Sequence, residues 1–319
     1  MSLIKKPSEL QAKKAIAVLL YGQPGIGKTT LATSAPRPVV FDFDGGITRV
    51  NGAHQAPTVQ ITQWEDCTAA LKEVGDDFDS IIIDTAGKML SFMDNFIKRH
   101  PSEYPKMWND NTGLSLKGYG ARKMMFINFL LDVQKMGKNL IFIAHEKEEK
   151  RGDNTIIRPE IGGSSANDLM KELDLVGYME AKGVRRTISF NPCESFYAKN
   201  TCNLPPLIEI PTLIDAQGNI ITKDAKGAPL SNNLLTLIIQ QFGAMQNQNI
   251  EKTAEYEQII AIIDEKISYI EDAKTANEVV DEIMQMQHVY NSQFVASNKV
   301  AAKAKALGLT FNKIKKVYE

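Results

Sequence analysis

The residues with the clearest chemistry lie between positions 22 and 30. Gly22-Gln23-Pro24-Gly25-Ile26-Gly27-Lys28-Thr29 fits G-x-x-x-x-G-K-[ST] at every defined position, and Thr30 follows. Glycines at this spacing let successive backbone N–H groups turn inward and cradle phosphate oxygens. A lysine at the seventh position reaches β- and γ-phosphates, and a hydroxyl at the eighth is a ligand for Mg2+. The chemistry expected of this stretch is therefore nucleotide binding, with ATP and Mg2+ as the natural pair. Context supports the motif: an apolar run, Ile16 to Tyr21, precedes it and Thr-Thr-Leu-Ala-Thr follows. These read as a strand and a helix on either side of the loop.

Acids and one histidine stand where such a site would need them. Phe78-Asp-Ser-Ile-Ile-Ile-Asp84-Thr85 is a near-continuous β-branched run ending in a carboxylate, the pattern of a parallel strand covered on both faces. Ligands in open α/β sheets sit at that strand end, so Asp84 is expected to hold Mg2+ through water, together with Thr29. The alternative is a helix cap. Pro38-Val-Val-Phe-Asp42-Phe-Asp44-Gly-Gly ends a second buried strand in two acids, and strand alternation puts Asp42 and Asp44 on one face. Lys138-Asn-Leu-Ile-Phe-Ile-Ala-His145-Glu146 delivers His145 to the same edge, where it could sense the γ-phosphate or be an ordinary satisfied strand-end residue.

Two polar stretches suggest a second ligand. Between His100 and Gly118, Tyr104, Trp108 and Tyr119 interleave with Lys98, Arg99, Lys106, Lys117 and Arg122. Aromatic stacking plus phosphate neutralisation is how single-stranded nucleic acid is held, though a few aromatics can equally anchor a loop to a core. Residues 147–168, with Arg151, Arg158 and Gly162-Gly163, read as a second mobile, substrate-facing loop.

The elements that must position these groups are legible in order. A helix is expected from Lys28 to Ser34, stopping before Pro36, then strands at 38–44 and 58–61 and a helix over 64–74. Helices over 89–98 and 121–136 flank the first polar stretch. Leu173 to Met179 and Arg185 to Asn191 read as strands joined by a turn at Lys182-Gly183, with Arg185, Arg186 and Lys199 giving that region a positive cast. A short helix over 234–242 would close a domain of residues 1–246, whose basic first fifteen residues read as a free, disordered arm, the alternative being that they pack beside the nucleotide. Gln246-Asn-Gln-Asn249 marks the boundary. Beyond it, Ile259, Ile260, Ile263, Ile267 and Ile270 make a helical stripe, followed by helices over 275–289 and around Gly308.

Composition narrows the class. At 319 residues, 43% hydrophobic and 24% charged with net charge -1, the chain has the balance of a soluble globular protein with a large α/β domain and a small appendage. No apolar run approaches a membrane span and no signal-peptide core is present. Cys67, Cys193 and Cys202 lack metal-like spacing and suit a reducing cytoplasm. Ten acids against three lysines between Glu251 and Gln287, then six lysines from Lys299 onward, give the C-terminal region a charge asymmetry fit for a partner.

With these stretches in place, the layout resembles a RecA-like P-loop NTPase core with a mostly parallel sheet, a β-hairpin extension and a C-terminal helical region. More narrowly it is similar to AAA-type phage nucleotide-binding proteins related to single-strand annealing recombinases. Leu20-Tyr-Gly-Gln-Pro-Gly-Ile-Gly-Lys-Thr-Thr-Leu-Ala, Val40-Phe-Asp-Phe-Asp-Gly-Gly, Ile82-Ile-Asp-Thr, Ala144-His-Glu-Lys and Tyr197-Ala-Lys-Asn carry the likeness, over roughly residues 15–205. The resemblance implies that Asp44 stands at the water-activating position, as an aspartate one methylene shorter than the family's glutamate, with Asp42 the neighbouring alternative. It implies that His145 is the sensor, and that Lys199 enters a neighbouring subunit's nucleotide site in a homo-oligomer. The expected function is a phage ATPase, working in the host cytoplasm, that assembles on single-stranded DNA in recombination or annealing. ATP would order the loops at 99–120 and 147–168 and so switch DNA affinity. The rival readings are an AAA-type motor or loader acting on duplex DNA or protein, and a nucleotide-gated module recruiting replication proteins through the C-terminal helices. A small-molecule kinase fits less well, because the appendage has no use there.

Overall fold

A computed structural model describes residues 3–13, 15–152, 154–162, 170–215 and 217–319, with the backbone alone described at Arg151. The chain divides into two compact units: Lys13–Phe242, and the residues up to Ala12 together with Gly243–Glu319.

The larger unit is built on the apolar runs. In chain order it comprises β1 (Ala17–Gly22), α1 (Lys28–Ala32), β2 (Pro38–Asp42), β3 (Thr58–Gln60), α2 (Trp64–Glu73), β4 (Ser80–Asp84) and α3 (Ala86–Arg99). There follow β5 (Trp108–Asn109), β6 (Gly113–Leu114), α4 (Leu116–Lys135), β7 (Asn139–Arg151), β8 (Asn154–Pro159), β9 (Leu175–Lys182), β10 (Arg185–Ser189), β11 (Lys199–Asn200) and β12 (Leu207–Ile210). Among the described residues ten strands form one sheet, in the order β12-β10-β9-β1-β7-β4-β2-β3, with β11 on β9 and β8 on β7. The six strands from β9 to β3 are parallel, so their C-terminal ends share one edge. β7 lies between β1 and β4 and thereby brings His145 level with Gly22, and Ile143 level with Asp84.

Burial explains the composition of these strands. All six positions of β1 and all five of β4 are buried, which only a sheet covered on both faces requires. Ala17, Leu19 and Tyr21 share a cluster with Trp64 of α2, Met89 and Met93 of α3 and Phe126 and Phe129 of α4. Val18 and Leu20, alternating with them, are fully buried on the opposite face.

Several expectations are corrected here. The first polar stretch is a small β5–β6 hairpin, and α4 starts at Leu116, five residues early, because Ser115 caps it by accepting the Gly118 N–H. The second polar stretch is largely not a loop: β7 runs on past the sheet edge to pair with β8, register Glu146 to Pro159 through Arg151 to Asn154. Its remainder, residues 163–168, lies outside the described residues. The chain crosses the expected boundary at 246–249 as α5, one continuous helix over Leu234–Ser268, while the two compact units divide close by at Gly243. A polar Gln/Asn run without a following Pro or Gly break is simply an exposed helix face.

In the smaller unit α5 is followed by α6 (Ala273–Gln285), α7 (Ser292–Ala306) and a tiny hairpin, β13 (Phe311–Asn312) with β14 (Val317–Tyr318). Gly308, at φ 76°, ends α7, so the last ten residues turn into strands rather than the expected helix. The predicted isoleucine stripe is the core: Ile259, Ile263 and Ile270 pack with Ala276, Val279, Ile283, Ala296 and Val300. The basic lead-in is not a free arm either, since the Ser8 N–H and hydroxyl both donate to the Glu257 carboxylate.

Candidate functional site

β1 ends at Gly22 and the chain immediately wraps a loop. At Gly22 a side chain is impossible: a Cβ would stand 2.5 Å from the Met179 carbonyl oxygen of β9. Gly27 adopts φ 95°, a left-handed conformation open to glycine, and this turns the chain into α1. Lys28 and Thr29 thus start the short helix directly beneath the strand edge. They line a cavity of about 420 Å³ together with the rest of residues 24–31, Asp44, Asp84, Thr85 and His145.

Lys28 is 6% exposed, an extreme position for an ammonium. Its Nζ donates to the carbonyls of Gly22 (2.9 Å) and Gln23 (2.7 Å), and it makes no ion pair among the described residues. Burial pushes its pKa down, against the pull of Asp84, Glu146 and Asp44. A buried cation held only by two neutral carbonyls, at the mouth of a glycine-lined loop, is poised to take an anion.

Asp84 is the counterpart. Its carboxylate is 4% exposed and accepts the Thr29 hydroxyl at 2.7 Å. Burial raises its pKa to about 6, with further increments from Asp44 and Asp42, against the Thr29 hydrogen bond and Lys28. A hydroxyl and a carboxylate converging where three acids crowd fits a hard divalent cation with oxygen ligands, and Mg2+ is the ion such a donor set suits. Thr29 and Asp84 are the residues that would hold it.

The two acids after β2 are now distinguishable. Asp42 is 2% exposed and accepts the N–H groups of Gly46 (3.1 Å) and Ile47 (3.3 Å), which makes it a turn-former. Asp44 is half-buried, accepts the Gly46 N–H at 2.8 Å and lines the cavity. His145 lines it too. Its Nδ1 is buried with no hydrogen-bond partner, and burial and Lys28 lower its pKa below 6.5. It is a ring kept neutral by burial at the wall of an anion-binding cavity, with Nδ1 enclosed and without a partner among the described residues.

Other predicted residues lie elsewhere. Lys199 does not line the cavity: it pairs with Val176 near the start of β9, and its ammonium donates to the carbonyls of Met170 (3.4 Å) and Lys171 (2.9 Å). Arg122, expected at a nucleic-acid surface, is 4% exposed, pairs with Asp94 at 3.0 Å and donates to the Gly162 carbonyl. It is a buried structural cation, and that expectation is corrected. Arg158 is likewise committed to Glu149 at 3.1 Å, and Arg99 to Glu65 at 2.8 Å. The Arg151 side chain lies outside the described residues. Tyr104 packs edge-on against Phe96. Lys106 and Lys117 are exposed, and Trp108 is half-buried with the Lys98 ammonium 5.2 Å from its ring centre. The aromatic and basic side chains still available are therefore Trp108, Tyr119, Lys98, Lys106 and Lys117, the Tyr119 ring being exposed with the Arg122 guanidinium 5.0 Å from its centre.

The sequence reading missed part of the cavity wall. Arg49, Asn51, Arg186, Ile210, Pro211, Leu213, Ile214, Asp215 and Asn232 all line it. Only the Arg185-Arg186 pair left a trace in the sequence, as local positive charge.

Comparison with known proteins agrees with this layout. A family profile described as an AAA domain matches residues 14–202. The chain is 26% identical over 181 residues to the SPbeta prophage-derived uncharacterized protein YorG of Bacillus subtilis (strain 168), covering 52% of this chain and 51% of that one. The chain thus spans about half the length of the curated relative it matches. Among solved structures, the RadB recombinase aligns at 15% identity and TM-score 0.34, over 56% of this chain and 80% of that chain. A second solved structure, described as an ATPase domain, aligns at 10% identity and TM-score 0.35, over 62% of this chain and 81% of that chain. The phosphate loop stands at the end of β1 in a mostly parallel α/β sheet, with the His145 strand inserted between β1 and the Asp84 strand. Because the profile spans more than half of the chain, the protein belongs to the AAA domain family.

Proposed function

We propose that this protein is a Mg2+-dependent ATPase that acts on single-stranded DNA. The observation that carries the nucleotide part is the convergence of Lys28, Thr29, Asp84, Asp44 and His145 on one cavity at the strand-end edge. The loop N–H groups and the Lys28 ammonium receive the β- and γ-phosphates, Lys28 leaving its two carbonyls to do so. Mg2+, held through Thr29 and Asp84, neutralises charge on the phosphate oxygens when bound. Asp44 orients a water against the γ-phosphorus and takes its proton as the bond to the ADP oxygen breaks. His145 presents a neutral ring to the γ-phosphate end, where a new hydrogen bond would satisfy its free nitrogen. Asp44 is shorter than glutamate, so slow turnover without DNA is expected.

Support for the DNA part is the set of Lys98, Lys106, Trp108, Lys117 and Tyr119, which offers two aromatic rings among cations. Oligomer formation belongs to the same proposal; a Lys199 contribution to a neighbouring site would require it to leave the Met170 and Lys171 carbonyls. The test is ATP hydrolysis by the purified chain with and without single-stranded DNA, Lys28→Ala serving as control. Stimulation by DNA that K28A abolishes is the expected result. Hydrolysis unaffected by K28A refutes the nucleotide site, and hydrolysis indifferent to DNA refutes the DNA part.

A further inference from the structure

The nucleotide reading leaves half of the cavity unexplained. The phosphate end is defined by Lys28, Asp84, Asp44 and His145, but the cavity continues past the first turn of α1. Its far wall comes from β10, β12 and the chain that follows them, and strand register shows how. β1 stops at Gly22, opposite Met179, whereas β9 continues to Lys182. At about 3.3 Å per residue the β9–β10 hairpin overhangs the phosphate loop by roughly 10 Å. Arg186 pairs with Ala181 in that overhang and, on its other side, with Ile210 of β12. Directly opposed residues of antiparallel strands share a face, so an arginine and an isoleucine stand side by side above the loop.

The chain then adds Pro211, Leu213 and Ile214 to the same wall. Asn232 ties that side to α1: its amide donates to the Thr30 carbonyl at 2.8 Å. Thr30 follows the Mg2+-type hydroxyl Thr29, so this is the side away from the γ-phosphate end. Arg186 is half-buried and has no ion pair or hydrogen bond among the described residues. A planar guanidinium without a side-chain partner among the described residues can take either a phosphate or the face of a flat π-system, and its aliphatic neighbours Ile210, Pro211, Leu213 and Ile214 favour the π-system.

We infer that Arg186, Ile210, Pro211, Leu213, Ile214 and Asn232 form the nucleoside end of the site, with Arg186 stacking on the base in its own subunit. The inference rests on the phosphate-loop reading and specifies the ligand as a base-bearing nucleoside polyphosphate rather than a polyphosphate alone. The hairpin arginine is thus a base-recognition residue.

The test compares ATP, ADP and inorganic tripolyphosphate, each with Mg2+, by calorimetric titration of the full chain, unaltered and as Arg186→Ala, Arg186→Lys and Lys28→Ala. The Arg186 side chain makes no polar contact among the described residues, so its variants are expected to keep the unfolding temperature of the unaltered chain. R186A should weaken ATP and ADP by about ten-fold, the scale of a desolvated stacked cation, and leave tripolyphosphate within two-fold. R186K should restore less than half of the loss, because charge is retained and the flat stack is not. K28A should weaken all three ligands. Equal weakening of tripolyphosphate and ATP by R186A would make Arg186 a phosphate ligand and overturn the inference, as would no change in either, with the phosphate-loop reading intact. Absence of binding of every probe to the unaltered chain would overturn that reading and the inference together.

Discussion

Asp84→Asn should stabilise the ligand-free protein while disabling it. The Asp84 carboxyl is raised from 3.8 to about 6, chiefly by burial, which means that the folded state resists its ionisation. At 1.36 kcal/mol per pKa unit this is about 3 kcal/mol of folding free energy withheld at neutral pH. Allowing for relaxation around the site, about 1–3 kcal/mol should return in D84N, because the amide oxygen can still accept the Thr29 hydroxyl. The sign follows from linkage. Between pH 4 and 6 the folded state holds a proton that the unfolded state has released, so stability falls as pH rises through that window. The advantage of D84N should therefore vanish near pH 4 and be complete above pH 6. Urea unfolding in EDTA across pH 4–8 measures it, and thermal melts should show roughly 2–4 °C per kcal/mol. With Mg2+ and ATP the order should invert, since only the unaltered chain gains the ligand term RT ln(1 + [L]/Kd). A D84N protein less stable than the unaltered one at pH 7.5 without ligand, or an advantage independent of pH, would refute the assignment of Asp84 as a desolvated carboxylate.

Other outcomes follow from the same structure. Arg122→Ala strips Asp94 of its buried partner and should cost about 3 kcal/mol in urea unfolding; a loss below 1 kcal/mol would return Arg122 to the surface. Gly118→Ala forces a Cβ to within 2.2 Å of the Met107 carbonyl oxygen and should cost about 1–3 kcal/mol, with nucleotide affinity unchanged. A melting temperature unaffected by G118A would show that the β5–β6 hairpin moves aside freely. The His145 ring, held below 6.5 by burial and Lys28, resists protonation when folded. Its contribution to stability is therefore lost as pH falls below 6.5, opposite in slope to Asp84, and His145→Gln should flatten that limb. NMR titration of the ring should place its midpoint below 6.5 in the free protein, and an ordinary midpoint would remove the case for an orphaned nitrogen.

What the sequence by itself determined is local and periodic. Eight consecutive residues specified the phosphate loop, because a loop that turns its own N–H groups inward needs glycines at fixed spacing and nothing from afar. The β-branched runs around Leu19, Ile82 and Phe142 specified covered parallel strands, and strand ends specified where Asp84 and His145 would meet the loop. The isoleucine stripe from Ile259 specified a helix face. Only the tertiary structure decided what depends on partners distant in sequence. Asp42 and Asp44 look equivalent in the sequence, but Asp42 ends β2 buried in the turn, accepting the N–H groups of both Gly46 and Ile47, whereas Asp44 accepts only the Gly46 N–H and lines the cavity. Arg122 looked like a surface cation until Asp94 and Gly162 closed on it. Arg186, Leu213 and Asn232 reach the loop from about 160 to 200 positions away, through sheet order and overhang rather than spacing. The sequence marks Arg186 only as local positive charge and the rest of the wall not at all, because its surroundings are assembled by the packing of the whole unit.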